Sequence, residues 1–195
     1  MDDELLAQAS RPLAGPDLAL EPIQPHHAAL LFEAMQHTGL YVYIPGDPPA
    51  SVAALEQRYA RWARRRSDNG DEIWLNYAIY QPSSARYLGT LQATVYRDAA
   101  CDIAYEIFPP DWRRRHAFNA CALLIGHLFA HFPIAAIRAL VDTRNRPSWK
   151  LLEALGFQRR EVIAQADHFK GSSSDEYRYE LVRPEAAGAA RAPAW

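Results

Sequence analysis

Apolar positions along the chain recur in two periods, and the switches between them divide it into elements. Residues 1–16 carry Pro12, Gly15 and Pro16 without sustained periodicity; 1–17 reads as an N-terminal arm, loose or holding a short helix. Residues 18–23 alternate as a strand does. After Pro25, residues 26–36 set Ala29, Leu30, Phe32 and Met35 at helical spacing, and 41–49 form an aromatic, turn-rich loop. Ser51 is positioned to cap a second helix, with Leu55, Tyr59 and Trp62 on one face and Arg58, Arg61, Arg64, Arg65 and Arg66 mostly on the other.

Three strand patterns follow, at 73–80, 86–96 and 101–108, joined by short turns that predict antiparallel pairing. The period then changes. Residues 116–132 predict a long amphipathic helix with Phe118, Cys121, Leu124, Ile125, Leu128 and Phe129 as its buried stripe. A strand at 137–141 leads to a helix at 147–155, with Pro147 in its first turn and Gly156 just past its end. Closing strands are expected at 157–163 and 176–182, and the Ala-rich tail 184–195 is expected to be disordered. The sum is an α+β domain over 18–183: a mixed, twisted sheet of about seven strands with helices on both faces.

Composition narrows the function. A chain of 195 residues with 49% apolar and 23% charged residues suits one globular domain, and its net charge of -2 argues against a dedicated nucleic-acid binder. The Arg58–Arg66 run, beside Asp68, Asp71 and Glu72, reads as a solvated helix face. Cys101 and Cys121 form no C-x-x-C pair and read as free buried thiols. His127 and His131 stand four apart, but Leu128 occupies the place of a metalloprotease glutamate, so no metal site is expected. No run is long enough to span a membrane, and the opening lacks a signal-peptide pattern; the expected address is the cytoplasm.

Two segments carry more specific information. In the first, Asp142-Thr-Arg-Asn145-Arg-Pro-Ser148 runs into a helix that closes on Leu155-Gly156-Phe157. Asn145, at a strand end, offers both a donor and an acceptor to an extended amide, and Ser148 faces the same cleft; both could equally cap the helix. In the second, Tyr105-Glu-Ile-Phe-Pro-Pro-Asp-Trp112 is followed by Arg113-Arg114-Arg115-His116-Ala117 at the start of the long helix. Together with the element order, these segments resemble the GNAT N-acetyltransferases over roughly residues 18–183. The aromatic loop 41–49 and the closing segments 167–171 and 175–181 are similar to the RimJ/RimL-like, ribosomal-protein N-terminal branch.

The resemblance implies acetyl-CoA as co-substrate and no metal. Its pyrophosphate would lie on Arg113, Arg114, Arg115, His116 and Ala117, its pantetheine arm on main-chain groups of Glu106, Ile107 and Phe108, and its amide on Asn145 and Ser148. It further implies Ser148 as acid and Asp167 as base, with Glu106 and Asp102 as rival bases; Asp167 could equally be a turn residue. Tyr105 and Glu106 alternate, so only one of them faces the cleft. Arg113 and Arg115 replace the branch's glycines, and Leu152 stands where the usual acidic Tyr would be. These departures leave open a GNAT-fold CoA-binding or regulatory module without catalysis. The acceptor is a protein N-terminus or a small-molecule amine; an α-amine is about a tenth neutral at pH 7, so the uncertain base set mildly favours it over a lysine. A homodimer is left open.

Overall fold

The computed structural model describes residues 3–184. Its eight-stranded sheet has the order β1-β2-β3-β4-β5-β6-β8-β7. Of the two readings of the arm, loose or holding a short helix, the structure has the helix, α1 (Asp3–Ala9), and an edge strand follows that the pattern did not predict, β1 (Leu13–Ala14), paired with β2 (Ala19–Pro22). Ala9 and Leu13 are buried, so these residues join the core. The expected disorder of the tail concerns residues that, after Pro184, lie outside those described.

The helix expected at 26–36 is shorter, α2 (His27–Leu31), and gives way to 3-10 turns at Ala34–Gln36 and Thr38–Tyr41. It starts without a side-chain cap, whereas α3 (Val52–Trp62) has Ser51 accepting from the Ala54 N–H. Beyond α3 the chain turns through Arg65 at φ 58, which reverses the expectation for that side chain. Arg65 is buried at 3% exposure, its guanidinium donating to the carbonyls of Ile23 (2.8 Å) and Asn76 (3.2 Å). An arginine spent on main-chain acceptors is invisible to periodicity.

β3 (Glu72–Gln81), β4 (Arg86–Tyr96) and β5 (Ala100–Ile107) form the predicted antiparallel meander. Pro109 and Pro110 stop β5, since neither has an N–H for a ladder, and α4 (His116–His131) then crosses to β6 (Ala136–Asp142), parallel to β5. α5 (Arg146–Ala154) follows, and Gly156 at φ 91 makes the left-handed turn that ends it. β7 (Gln158–Phe169) and β8 (Ser172–Val182) make a longer hairpin than expected, because bulges near Glu161 and around Gln165 (φ 49) break the alternation without ending the ladder. Its tip is Lys170–Gly171, at φ 50 and 78.

One core joins the sheet to α1, α4 and α5 through Leu75, Tyr77, Leu91, Leu124 and Leu128; Cys101 and Cys121 lie there as free thiols. A smaller cluster on the other face holds Leu31, Leu55, Tyr59 and Phe108 under α2 and α3. No helix among the described residues is long and apolar enough to cross a membrane.

At the open end of β5 the strands approach closely. A Cβ on Gly89 would lie 1.9 Å from the Glu106 carbonyl oxygen, which is backbone and cannot swing aside. Gly89→Ala should therefore lower the free energy of unfolding by about 3 kcal/mol. Urea denaturation measures this, and an unchanged midpoint would contradict the packing described.

Candidate active site

β5 and β6 pair over only Ala100↔Ala136, Cys101↔Ile137 and Asp102↔Arg138. The last rung is closed by an ion pair, Arg138 Nε to Asp102 Oδ1 at 2.7 Å, which engages the Asp102 carboxylate. Beyond it the strands diverge into a wedge. The Phe108 N–H donates to the Leu88 carbonyl at 2.8 Å, toward β4, so alternation turns the main-chain groups of Tyr105 and Ile107 toward the wedge. This corrects the expectation for Phe108, whose amide and buried side chain are both committed elsewhere. The Ile107 carbonyl accepts from the Trp112 indole at 2.6 Å.

Tyr105 spans the wedge. Its hydroxyl lies 2.8 Å from Ser148 Oγ and donates to the Ser148 carbonyl at 3.0 Å. Burial pushes the phenol up, only partly opposed by the Ser148 hydrogen bond, so it stays a neutral proton donor. Asn145 caps α5, its Oδ1 accepting from the Ser148 N–H at 3.3 Å, which fixes Ser148 opposite β5. Leu152 is buried in the core. The chain thus brings a phenol from β5 to Ser148, a contact that the sequence alone did not reveal.

Glu106 projects to the opposite face, the side of Phe108, Tyr59 and Tyr41. Its Oε1 is buried and without a hydrogen-bond partner, and burial pushes the carboxyl up to about 7, opposed by the charge of Arg58. A carboxyl poised there can exchange a proton near neutral pH. Asp167 sits inside β7 rather than in a turn, with Oδ1 accepting from the His168 N–H at 2.7 Å. It lies near Glu176, whose carboxyl is pushed up first by burial and then by the charges of Asp167 and Asp142. Asp142 itself is held below the ordinary range: burial opposes this, but hydrogen bonds from Arg144 and Ser174 prevail.

The loop before α4 shows what backbone the two arginines adopt. Arg113 and Arg115 have φ of 61 and 63, the left-handed backbone that glycine adopts freely. The glycine geometry is therefore kept by arginines. Arg115 folds back along the helix, its guanidinium 5.1 Å from the Phe118 ring centre, and Arg114 lies 3.7 Å from buried Asp111, which also takes 2.8 Å contact from Arg86. The first N–H taken within α4 is that of Asn119, so those of His116, Ala117 and Phe118 point out of the helix start, a ready anion seat.

Of the residues singled out in the sequence, Glu106 and Ile107 lie on the β5 edge, Ser148, placed by Asn145, meets Tyr105 across the gap, and Arg113, Arg114, Arg115, His116 and Ala117 form the loop and first turn that lead from β5 into α4. A separate groove of about 470 Å³ opens beyond Phe108, lined by Glu33, His37, Arg86, Tyr87 and Pro110. Among the described residues no group of three or more His, Cys, Asp or Glu could hold a metal ion.

With this geometry in hand, comparison with known proteins is informative. Residues 17–158 match the acetyltransferase (GNAT) domain. Over 138 residues, 69% of this chain and 70% of its relative, the sequence is 29% identical to the uncharacterized N-acetyltransferase YoaA of Bacillus subtilis. Solved structures share the fold: an acetyltransferase from Salmonella typhimurium that modifies the N-terminal serine of ribosomal protein L7/L12 has a TM-score of 0.77 at 14% identity, covering 88% of this chain and 99% of that one. A ribosomal-protein-S5-alanine acetyltransferase from Vibrio fischeri gives 0.77 at 16% identity, covering 89% and 97%.

Two predictions follow from the site itself. Arg113→Gly should stabilise the fold by roughly 0.5–1 kcal/mol by relieving the left-handed strain, and Arg115→Gly by less, since its contact with Phe118 is lost; thermal unfolding would show this ranking, and destabilisation by Arg113→Gly would contradict it. Because the folded Glu106 carboxyl is raised to about 7 from an ordinary 4.5, its contribution is complete below pH about 4.5 and is lost as pH climbs through 7. Relative to Glu106→Gln, the native chain should therefore lose about 1–3 kcal/mol of stability between pH 5 and 8. A pH-independent difference in urea unfolding would refute the shift.

Proposed function

Because the chain belongs to the GNAT acetyltransferase family, we propose that it transfers the acetyl group of acetyl-CoA to a primary amine by direct attack on the thioester. The observation that carries this reading is the wedge: an unpaired β5 edge with a phenol–hydroxyl pair on one face and a buried carboxyl on the other. The residues present suit the co-substrate. Tyr105 and Ile107 offer main-chain groups to an extended amide arm, Asn145 and Ser148 border it, and the bare N–H groups of His116, Ala117 and Phe118, with Arg113 and Arg114, suit its pyrophosphate. Acetyl-CoA supplies the acyl group already activated as a thioester.

The chain's own groups divide the work. Glu106 takes a proton from the ammonium form of the acceptor, leaving a neutral nucleophile on its face of the sheet. The Ile107 N–H, on the open edge, is positioned to donate to the carbonyl oxygen as negative charge develops there. Tyr105, coupled to Ser148 Oγ, delivers a proton to the departing sulfur from the opposite face, and the second proton shed by the nitrogen as it becomes an amide restores the phenol. This reading gives the acid role to a Tyr105–Ser148 pair rather than to Ser148 alone, and favours Glu106 over Asp167 as base, since the Asp167 carboxylate accepts from its own strand at the His168 N–H and faces Ser174 on β8.

The acceptor we propose is an α-amine of a protein N-terminus or a small amine, in line with the ribosomal-protein acetyltransferases that share the fold. The alternative of a binding module without catalysis is the weaker reading. Its two motives were the arginines for glycine and the absent Tyr at Leu152; the arginines adopt the glycine backbone, and Tyr105 offers a phenol instead.

Acetyl-CoA should raise the melting temperature, and candidate amines should release free thiol in its presence. kcat/KM should rise with an apparent pKa near 7 and lose that limb in Glu106→Gln, with kcat falling by about 10²–10³. Tyr105→Phe should lower kcat more than Ser148→Ala does. No thermal shift and no thiol release would defeat the reading; turnover by Glu106→Gln at the native rate would defeat the assignment of the base.

A further inference from the structure

The aromatic loop between α2 and α3 is fastened by a side chain from the other end of the molecule. The Lys170 ammonium, at the β7–β8 tip, donates to the carbonyls of Tyr41, Ile44 (3.0 Å) and Gly46 (3.3 Å). An ammonium has three N–H donors and no acceptor, so three converging carbonyls satisfy it completely. Among the described residues Ile44 and Gly46 have no other hydrogen bond. The base of the loop is pinned separately, by Tyr41 Oη to the Met35 carbonyl at 2.9 Å and Gln36 Nε2 to the Pro49 carbonyl at 3.0 Å. Lys170 therefore ties the outer half alone.

The loop, held by Lys170, also links the two sides of the wedge. The Tyr41 hydroxyl is bonded to the Met35 carbonyl, and Met35 packs in the cluster that holds Phe108 and Tyr59 on the Glu106 face. Lys170 reaches the loop from the β7–β8 tip, which lies on the β6 side of the gap in the order β5-β6-β8-β7. The bonds to 41–46 thus cross from the β6 side to the Glu106 face. The tip that reaches it depends on Lys170 itself adopting φ 50 before Gly171 at 78, a two-residue turn that aims the side chain across the opening.

We propose that Lys170 is a positioning residue for the acceptor: by tying 41–46 as a strap over the Glu106 face, it turns an open trough into a passage that an amine enters end-on. The inference rests on the acetyl-transfer reading and extends it to the form of the acceptor, an amine at a chain end or on a small molecule rather than one recessed in a folded surface. Lys170 touches neither reacting group; it acts through the strap.

Lys170→Met and Lys170→Arg separate this role from bulk stability. The probes are acetyl-CoA and a short lysine-free peptide with a free α-amine. In Lys170→Met, amide exchange across 41–46 should rise, and KM for the peptide should increase about tenfold while kcat and the acetyl-CoA dissociation constant stay within about twofold. Lys170→Arg, which keeps the donors, should recover most of the KM. Unchanged exchange would overturn the strap, and raised exchange with an unchanged peptide KM would make Lys170 merely structural. If the native chain acetylated no amine, the acetyl-transfer reading and the acceptor role would fall together, while exchange at 41–46 would still decide whether Lys170 ties the loop.

Discussion

The structure depends on the parting of two parallel strands. β5 and β6 share three residue pairs and then separate, so the main-chain groups of Tyr105 and Ile107 lack the ladder that a sheet interior ordinarily supplies. Unpaired backbone groups inside a fold are costly unless something meets them. The chain holds the gap open by construction: Arg138–Asp102 closes the last rung, Pro109 and Pro110 stop β5, and the Tyr105 hydroxyl braces β5 against the start of α5. Trp112 covers one exposed carbonyl, that of Ile107.

The parting also sorts the side chains that border it. A strand exposes its alternate side chains to opposite faces, so adjacent Tyr105 and Glu106 serve opposite sides of whatever lies along the edge. Burial then acts on both in one direction, keeping the phenol protonated and lifting the carboxyl toward neutrality. A phenol kept protonated and a carboxyl able to exchange a proton near pH 7 thus occupy neighbouring positions on one strand. The loop before α4 shows a comparable economy, since arginines bear glycine's backbone and bring positive charge to the helix start at the cost of local strain.

What could be read from the sequence was what local rules determine. Asn145, Pro147 and Gly156 marked the start and stop of α5 within a residue, because caps and turns are written in the residues that make them. The meander and α4 were legible from period alone. What escaped depended on tertiary contact. The Tyr105–Ser148 bridge joins residues 43 apart, and Lys170 reaches carbonyls more than 120 positions earlier. Arg65, read as a solvated side chain, is buried because two distant carbonyls need a donor. β7 ran past its expected end because bulges near Gln165 disturbed the alternation, and with it Asp167 moved from a loop into a strand. Glu106 was named among the bases, but its burial and unpartnered oxygen depend on tertiary packing, which no spacing on β5 reveals.

The open β5 edge is tested most directly by residue-resolved amide exchange with and without acetyl-CoA. A thioester arm lying along that edge should slow exchange at Tyr105 and Ile107, and its pyrophosphate should slow His116, Ala117 and Phe118, while Phe108, already bonded to Leu88, should hardly change. Protection confined to other surfaces, or none at saturating acetyl-CoA, would contradict the account.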